Sequence, residues 1–392
     1  MARRRLGLPR HGAPLTYTTP ANRARVPLRT GRPRDDERVS DPRDSTTLPR
    51  LTEEGHVDSA VARALDAAAD IDGFGTDVAA TLDWAVMVGA TRPLDHSAID
   101  DWSLLASVAG RDVAAARILE PHLDALDILD QARREGCEAA LESIGAGTGS
   151  SWGVFAAEGP GLRLEAHRDR DGWRLSGTKP WCSLAQQLTH ALVTAWDGDE
   201  RRLFAVALRT PEVDAHAGPW HARGLVPVVS APVDFTSAAA VPVGEAGWYL
   251  RRPGFARGGI GVAACWWGGA VTLRGALLDA ARRPGADQLS RVHLARVDTA
   301  LWNARLALRS AAEAIDADPD PALLAGRVRA VVAAAVETTL AESARALGPL
   351  PLVADEPHAR RVADLQIYLR QHHGERDLAR IGTSLSEGRG AW

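Results

Sequence analysis

Two histidines and a glutamate lie close together near the carboxyl end of the chain, and such side chains can move protons or bind a metal. They are His372, His373 and Glu375. A metal centre normally needs a second group of ligands elsewhere in the sequence. The cysteines do not supply one, because Cys137, Cys182 and Cys265 are far apart. We therefore expect no metal site, and polar residues on a solvent-facing or intersubunit helix are the simplest interpretation of the cluster.

The segment that leads up to the middle of the chain is predicted to be helical. Apolar residues recur at three- and four-residue steps over about residues 57–135. Pro121 should kink or break the last of these helices, because proline cannot donate the backbone hydrogen bond of a helix interior. The glycine-rich segment 145–151 then predicts a loop.

After this loop the apolar pattern alternates, which predicts strands. Asp171-Gly172 and Asp197-Gly198-Asp199 are typical hairpin turns. We therefore expect segment 162–167 to pair with 173–176 and segment 191–196 to pair with 203–208. Further strands at 226–229, 233–235 and 239–243 would complete a small antiparallel β domain that ends near Gly247.

The remainder of the chain predicts four long helices with short connections, at 259–281, 289–315, 321–346 and 358–381. Its longest uncharged stretch, 258–273, has sixteen residues. A membrane span needs about 18, so we expect a core helix buried on all sides. The expected fold class is α+β, with an N-terminal helical domain (51–145), a middle antiparallel β domain (146–250) and a C-terminal four-helix bundle (251–392).

The beginning of the 392-residue chain differs in composition from the rest. Residues 1–50 contain 12 Arg, 5 acidic residues and seven prolines, without an apolar period. We expect this part to be a disordered Arg/Pro-rich tail. The formal net charge of the whole chain is −4, which argues against a nucleic-acid-binding protein. No apolar segment follows the early arginines, so we expect a cytoplasmic protein with no secretory signal and no membrane association.

The order of these elements, together with one motif, resembles the acyl-CoA dehydrogenase superfamily. Segment 172–183, Gly-Trp-Arg-Leu-Ser-Gly-Thr-Lys-Pro-Trp-Cys-Ser, is similar to the family's Gly-Thr-Lys-x-Trp-x-Ser/Thr stretch. Segment 155–159, Phe-Ala-Ala-Glu-Gly, is similar to its Thr-Glu-Pro segment. The resemblance implies a flavoprotein oxidoreductase that binds FAD and oxidises the CH–CH bond of acyl-CoA or another acyl thioester. It also implies a homodimer or homotetramer, and it allows for an electron-transfer protein as a partner.

The resemblance further implies which residues contact the flavin. Trp181 matches the residue that packs on the isoalloxazine ring, and Ser183 matches the hydroxyl beside its reactive nitrogen. A Trp at this position could instead fill the core of the β domain. The other implied contacts, some of them reaching the flavin of a neighbouring subunit, are Ala157, Glu158, Cys182, Arg282, Gln288, Arg345 and Gly348.

The catalytic base of the family is missing from its usual positions. Dehydrogenation of a thioester needs a carboxylate to take the α proton. The family's Glu follows an Ile-Tyr pair, but here Leu369 follows that pair, and the alternative position aligns near Val262. A displaced base could come from His372 or Glu375.

A second polar group lies earlier in the chain. Arg117, Glu120 and His122 resemble an Arg-x-x-Glu-x-His pattern of outlying family members, and we expect Glu120 and His122 to be buried structural groups. The sequence leaves three functions open: an acyl-CoA dehydrogenase-like oxidoreductase that acts on thioesters, a flavin-dependent monooxygenase of the same superfamily, and a non-catalytic protein that binds acyl thioesters.

Overall fold

The order of helices, strands and helices is the one that the sequence predicts. The computed structural model describes residues 49–51, 59–93 and 95–390. The predicted Arg/Pro-rich tail, residues 1–50, lies almost entirely outside these residues.

Four helices come first, and three of them begin at a side-chain cap. They are α1 (Ser59–Ala69), α2 (Val78–Thr91), α3 (Ala98–Arg111) and α4 (Val113–Arg134). The first turns of α2, α3 and α4 have backbone N–H groups without a partner inside the helix. These groups donate hydrogen bonds to the side chains of Asp77, Ser97 and Asp112. The prediction that Pro121 breaks this stretch is wrong, because α4 continues through it. Ile118, Leu119 and Leu123 pack into the core around the proline and hold the helix in place.

Seven strands form one sheet, and five of them close into a small barrel. The strands are β1 (Trp152–Phe155), β2 (Leu164–Arg168), β3 (Trp173–Ser183), β4 (His190–Asp197), β5 (Glu200–Ala207), β6 (Val213–Ala215) and β7 (Ser230–Val243). The path β4-β2-β3-β7-β5 closes because β5 also pairs with β4. Both predicted hairpins are present, β2 with β3 and β4 with β5. The prediction of a purely antiparallel domain is wrong, because β4 pairs in parallel with both β1 and β2.

One predicted strand is absent and two others are joined. Segments 233–235 and 239–243 both belong to β7, whereas 226–229 forms a turn. The turn contacts a helix, since the N–H of Leu225 donates to the carboxylate of Asp364. A Cβ on Gly224 would lie 1.9 Å from the carbonyl oxygen of Ala363, so this backbone approach requires glycine.

The remaining helices are α5 (Trp248–Arg251), α6 (Gly254–Arg282), α7 (Gln288–Ala314), α8 (Pro321–Leu347), α9 (Leu350–Ala354), α10 (Glu356–Tyr368) and α11 (Glu375–Ser386). The predicted helix 358–381 is therefore interrupted. A 3₁₀ turn, Leu369–Gln371, ends α10, and Gly374 has a φ of 55°, which a continuous helix does not allow. His372 and Glu375 consequently lie at a bend of the chain.

Helix α6 lies at the centre of the helical part. Residues 260–270 are all buried, as expected for a core helix. By length and apolar composition alone α6 could cross a membrane, but 67% of its most apolar segment is buried inside this fold. Helix α4 packs on both α6 and β1, and α10 packs on α4 and α6. Side chains from the helices and from the barrel therefore meet beside α4.

Candidate active site

Trp181 lies on the surface of the barrel, at an irregularity of β3. Lys179 pairs with Val233 and Cys182 pairs with Ala231, so two residues of β3 lie opposite one residue of β7. Such a bulge redirects side chains. The backbone of Trp181 has a φ of 60°, a rare and strained value for a bulky residue, and its side chain is 61% exposed. The alternative that Trp181 fills the barrel core is therefore wrong.

The two residues after Trp181 point inward. Cys182 is buried, with its Sγ 3.3 Å from the carbonyl oxygen of Lys179, and burial raises the pKa of its thiol. The Ser183 hydroxyl lies 2.7 Å from that of Ser230 and accepts a hydrogen bond of 3.0 Å from Arg117. Ser183 thus joins the strand of Trp181 to helix α4.

Arg117 links Ser183 to a carboxylate on the same face of α4. Its Nη2 donates to Ser183, and its Nη1 lies 3.1 Å from Oε2 of Glu120. The guanidinium lies over the ring of Tyr368, 5.7 Å from the centroid, and the Tyr368 hydroxyl donates to the same Oε2 at 3.4 Å. Helix α4, helix α10 and strand β3 therefore position one connected polar group, Arg117, Glu120, Tyr368 and Ser183, which we call the Glu120 group.

The environment of Glu120 suits proton transfer. Its side chain is 12% exposed, and burial raises the pKa of the carboxyl from its ordinary value to about 7. Arg117 and the Tyr368 hydroxyl act in the opposite direction, because both stabilise the charged form. A carboxyl that is half ionised near neutral pH can both accept and donate a proton.

Glu120 lines a cavity of about 610 Å³, which we call the Glu120 cleft. It lies between α3, α4 and α6, and its apolar walls include Trp102, Leu105 and Leu123. This volume is within the ordinary range of small-molecule sites. A ligand in the cleft would meet a buried carboxyl whose charge depends on pH near neutrality.

The structure does not bring the candidate bases His372 and Glu375 to this cleft. Leu369, at the family's position for the base, is buried. His372 lies edge-on to Trp266 with ring centroids 6.4 Å apart, and Glu375 is exposed at the start of α11. Neither residue lines the Glu120 cleft. Burial raises the pKa of two carboxyls that line the cleft, Glu120 and Asp124, and of these Glu120 is the one that pairs with Arg117.

The expectation of buried structural groups agrees with the structure for His122, and Glu120 is likewise largely buried and hydrogen-bonded, with a side chain that is 12% exposed. His122 is buried, and its Nδ1 accepts a hydrogen bond of 3.3 Å from the backbone of Trp152. Burial lowers its pKa to about 4, so the ring is neutral. The available signal for Glu120 was its three-residue spacing from Arg117, which places both side chains on one helix face.

Glu158, an implied flavin contact, is held in an ion pair. Its carboxylate lies 2.7 Å from Nζ of Lys179 and 3.2 Å from Nη2 of Arg201. Lys179 is 1% exposed and also donates to Thr194. The pair fixes the segment of Glu158 against β3, at Lys179, two residues before Trp181. Ala157 and Glu158 are both exposed.

The four implied contacts from the bundle lie at the ends of helices. Arg282 ends α6 and Gln288 begins α7, and both are exposed. Arg345 forms an ion pair with Glu342, and Gly348 ends α8. The proposed role of these residues toward a neighbouring subunit's flavin stays a prediction.

A group of potential metal ligands lies at the wall of the cleft. Atoms of His96, Asp101 and Asp127 lie within 4.8 Å of one another. Arg92 forms ion pairs with both aspartates, and Arg257 lies 2.7 Å from Asp101. Because these cations already compensate the carboxylates, we interpret the group as an ion-pair network.

We expect this network to make stability depend on pH. Hydrogen bonds to Asp101 and then Asp127 raise the pKa of His96 to about 9. A raised folded-state pKa stabilises the fold below the unfolded value of 6.5, and this contribution is lost as the pH rises through about 9. The free energy of unfolding in urea should fall by about 2 kcal/mol between pH 6 and pH 9.5.

His96→Gln should flatten this dependence, because glutamine does not titrate. Substituting the exposed His221 by Gln should leave the wild-type curve unchanged. An unaltered pH dependence in His96→Gln would show that His96 does not carry the effect.

No protein-family model matches the chain, and a search of curated proteins finds no match. Solved structures do match. Glutaryl-CoA dehydrogenase from Mycobacterium smegmatis, in complex with FADH2, has a TM-score of 0.70 at 16% identity, over 87% of this chain and 97% of that one. KijD3, in complex with FMN and a dTDP-linked amino keto sugar, has a TM-score of 0.66 at 20% identity, over 85% and 92%.

The FMN-bound dibenzothiophene monooxygenase TdsC from Paenibacillus sp. A11-2 has a TM-score of 0.67 at 16% identity. The match covers 85% of this chain and 97% of that one. At these identities the similarity is one of fold, and it includes the mixture of helices and barrel described above. The chain therefore has the fold of the acyl-CoA dehydrogenase superfamily, as its sequence motif and element order predict.

Proposed function

We propose that this protein is a flavin-dependent oxidoreductase in which Glu120 is the acid–base residue. The observation that carries the proposal is the connection through Arg117, which holds Glu120 at 3.1 Å and Ser183 at 3.0 Å. It joins a carboxyl with a pKa of about 7 to the hydroxyl beside which the resemblance places the flavin.

The residues beside this connection fit the ring of a flavin. Trp181 offers an exposed aromatic face at a strained position, and strain of this kind is common at ligand sites. Ser183 offers a hydroxyl two residues away. When bound, a flavin would accept a hydride from the substrate. We propose FAD as the cofactor, with Arg282, Gln288 and Arg345 as contacts for its adenylate half.

FMN is the alternative cofactor, since it is the flavin that KijD3 and TdsC bind. The two are distinguished by releasing the flavin from the protein and measuring its mass. FMN has no adenylate half, so the bundle residues Arg282, Gln288, Arg345 and Gly348 would then lack their proposed contact.

The Glu120 group would act by taking a proton from the substrate. Arg117 and Tyr368 both bond to Oε2 of Glu120 and thereby fix the carboxylate. In the dehydrogenation of an acyl thioester, Glu120 would take the proton α to the carbonyl. The cleft of about 610 Å³ would hold the reacting part of the thioester and limit the access of water.

A monooxygenase is the second candidate function. Leu369 is buried at the family's position for the base, and TdsC, a dibenzothiophene monooxygenase, shares this fold. A monooxygenase needs no α-proton abstraction, so Glu120 would then act on the substrate's own acidic group or only maintain the cleft.

Flavin retention and its response to acyl-CoA test the proposal. We expect protein incubated with FAD and passed through gel filtration to keep the visible absorption bands of flavin. Butyryl-CoA, added without oxygen, should bleach these bands, because hydride transfer reduces the ring. Bands that bleach only with an external flavin reductase and NAD(P)H, followed by substrate-dependent uptake of oxygen once air is admitted, would favour the monooxygenase. A colourless protein that still binds acyl-CoA would contradict both and favour a non-catalytic binder.

Exposed apolar side chains on α7 support the proposal that the protein forms a homodimer or homotetramer. Leu289, Val292, Trp302 and Leu306 are 42–58% exposed along one helix. Apolar rows of this kind mark protein–protein contacts. Such contacts would place Arg282 and Gln288, at the same end of the bundle as Leu289, near a neighbouring subunit.

A further inference from the structure

A chain of three hydrogen bonds passes through the Ser183 hydroxyl. Nη2 of Arg117 donates to Ser183 Oγ at 3.0 Å, and Ser183 Oγ lies 2.7 Å from Ser230 Oγ. The Ser230 hydroxyl donates in turn to the carbonyl oxygen of Val228 at 3.3 Å. The proposed acid–base chemistry of Glu120 makes no use of Ser230 or Val228.

One arrangement of hydrogens satisfies all three bonds. A guanidinium donates hydrogen bonds and cannot accept them, so the hydrogen of Ser183 cannot point to Arg117. A carbonyl oxygen accepts only, so the hydrogen of Ser230 points to Val228. The contact of 2.7 Å between the two hydroxyls then needs the hydrogen of Ser183. Ser183 is therefore the donor to Ser230, and its oxygen keeps one lone pair for a further hydrogen bond.

The backbone holds Ser230 opposite Ser183. The two residues are direct partners in the antiparallel pairing of β3 with β7. Next to them, the N–H of Leu184 donates to the carbonyl oxygen of Val229 at 2.8 Å. Ser183 is 9% exposed, so little water reaches its hydroxyl. The direction of the bond between the two hydroxyls is therefore set by a fixed backbone and not by mobile surface side chains.

The reactive nitrogen of a flavin, N5, changes its hydrogen-bonding character with its redox state. Oxidised N5 carries no hydrogen and can only accept, whereas a hydride received from a substrate makes it an N–H donor. The resemblance places Ser183 beside this nitrogen. A Ser183 hydroxyl that donates to Ser230 can accept a hydrogen bond from reduced N5. It could donate to oxidised N5 only by breaking its bond to Ser230.

We propose that Ser230 is a positioning residue that directs the hydrogen of Ser183 away from the flavin and thereby makes the bound flavin easier to reduce. The inference rests on the proposed function, since it assumes that a flavin lies at Ser183. Arg117 contributes, because it can only donate to Ser183 and so offers the Ser183 hydrogen no alternative partner. Ser230 thus favours transfer of the hydride from substrate to flavin without touching either.

Ser230→Val and Ser230→Thr test the proposal as a matched pair, because valine and threonine have the same branched shape and differ in the hydroxyl. The readout is the two-electron midpoint potential of bound FAD, measured anaerobically against a redox dye. Ser230→Val frees the Ser183 hydrogen to donate to oxidised flavin. One such bond changes the ratio of the oxidised to the reduced dissociation constant about fivefold, so the potential should fall by about 20 mV. Ser230→Thr should keep the wild-type potential.

Ser183→Ala separates this effect from a general disturbance of the barrel. In a Ser183→Ala background, Ser230→Val and Ser230→Thr should give the same potential, whereas a purely structural effect of Ser230→Val would persist. Ser176→Ala is the control for loss of a β3 hydroxyl, because Ser176 accepts a hydrogen bond of 3.2 Å from the N–H of Ser237 on β7. It should leave the potential unchanged. Ser230→Ala replaces Ser230→Val if the latter does not fold.

The possible failures give different results. Equal potentials in Ser230→Val and Ser230→Thr, in a protein whose FAD affinity or potential responds to Ser183→Ala, would overturn the inference and leave the proposed function intact. A wild type that retains no FAD would remove both. So would a Ser183→Ala variant with unchanged FAD affinity and potential, because the flavin would then not lie at Ser183.

Discussion

Glu120→Gln should reduce substrate-dependent flavin reduction at least about a hundredfold, while flavin content and circular dichroism stay as in the wild type. Glutamine keeps the size and one hydrogen-bond acceptor of glutamate but cannot take a proton. Because Glu120 bonds to Arg117 and Tyr368 and not to Trp181 or Ser183, the substitution should spare the flavin. Anaerobic stopped-flow measurement of flavin absorption would give the rate.

The pH dependence provides a second readout of the same variant. A base must be ionised to act, and burial raises the pKa of Glu120 to about 7. The rate of flavin reduction in the wild type should therefore rise as the pH increases through about 7 and become constant above it. In Glu120→Gln the rate should no longer rise with pH. If Glu120 had a purely structural role, the variant would be slower but its rate would still rise with pH.

Glu375→Gln is the matched control, since it makes the same chemical change at an exposed position outside the Glu120 cleft. We expect the rate and the pH profile of the wild type. A hundredfold loss in Glu375→Gln, with a normal rate in Glu120→Gln, would contradict the assignment and restore the displaced base near the carboxyl end.

Local signals in the sequence predicted the parts of the fold that depend on local interactions. Asp171-Gly172 marks the β2–β3 hairpin because these residue types favour a tight turn, and both lie in the short connection 169–172 between Arg168 and Trp173. The apolar run of α6 predicts a core helix because a helix that is apolar on all its faces has to be buried. The parallel pairing of β1 with β4 carries no such signal, since the strands lie far apart in sequence and the barrel brings them together.

The candidate site was harder to predict because its parts come from distant segments. Arg117 and Glu120 are neighbours on α4, but Tyr368 is 248 residues away from Glu120. Only the packing of α10 on α4 shows that the carboxyl is buried and that its pKa is raised. The break before α11 misled the prediction of the base. The predicted continuous helix brought His372 and Glu375 near Leu369, whereas the chain bends there and Glu375 lies on the surface.

Trp181 belongs to a motif that the sequence shows while the local geometry stays hidden. The match to the family's Trp predicted a ring contact with flavin, but nothing in the sequence predicted the bulge that turns the side chain outward. A bulge depends on the register with β7, more than 45 residues later, where Ala231 pairs with Cys182. The exposure of Trp181 is the consequence that matters for function.

Trp181→Ala should weaken flavin binding by about 10- to 100-fold and leave the fold intact. An aromatic face stacked on another aromatic system adds roughly 1 kcal/mol beyond the apolar area that it buries, and alanine removes both contributions. Because the side chain is 61% exposed without ligand, the free energy of unfolding of the apoprotein should change by about 0.5 kcal/mol or less. Titration of the apoprotein with FAD, followed by flavin fluorescence, measures the binding constant.

Met87→Ala supplies the control, because Met87 is also an exposed large side chain, at 38%, but lies on α2, outside β3 and outside the apolar row of α7. It should bind FAD with wild-type affinity, and Trp181→Phe should recover part of the loss because phenylalanine keeps an aromatic face. Unchanged FAD affinity in Trp181→Ala would mean that the bulge serves another purpose. Loss of folded protein with unchanged occupancy per folded molecule would mean that Trp181 stabilises the barrel, against its exposure in the structure.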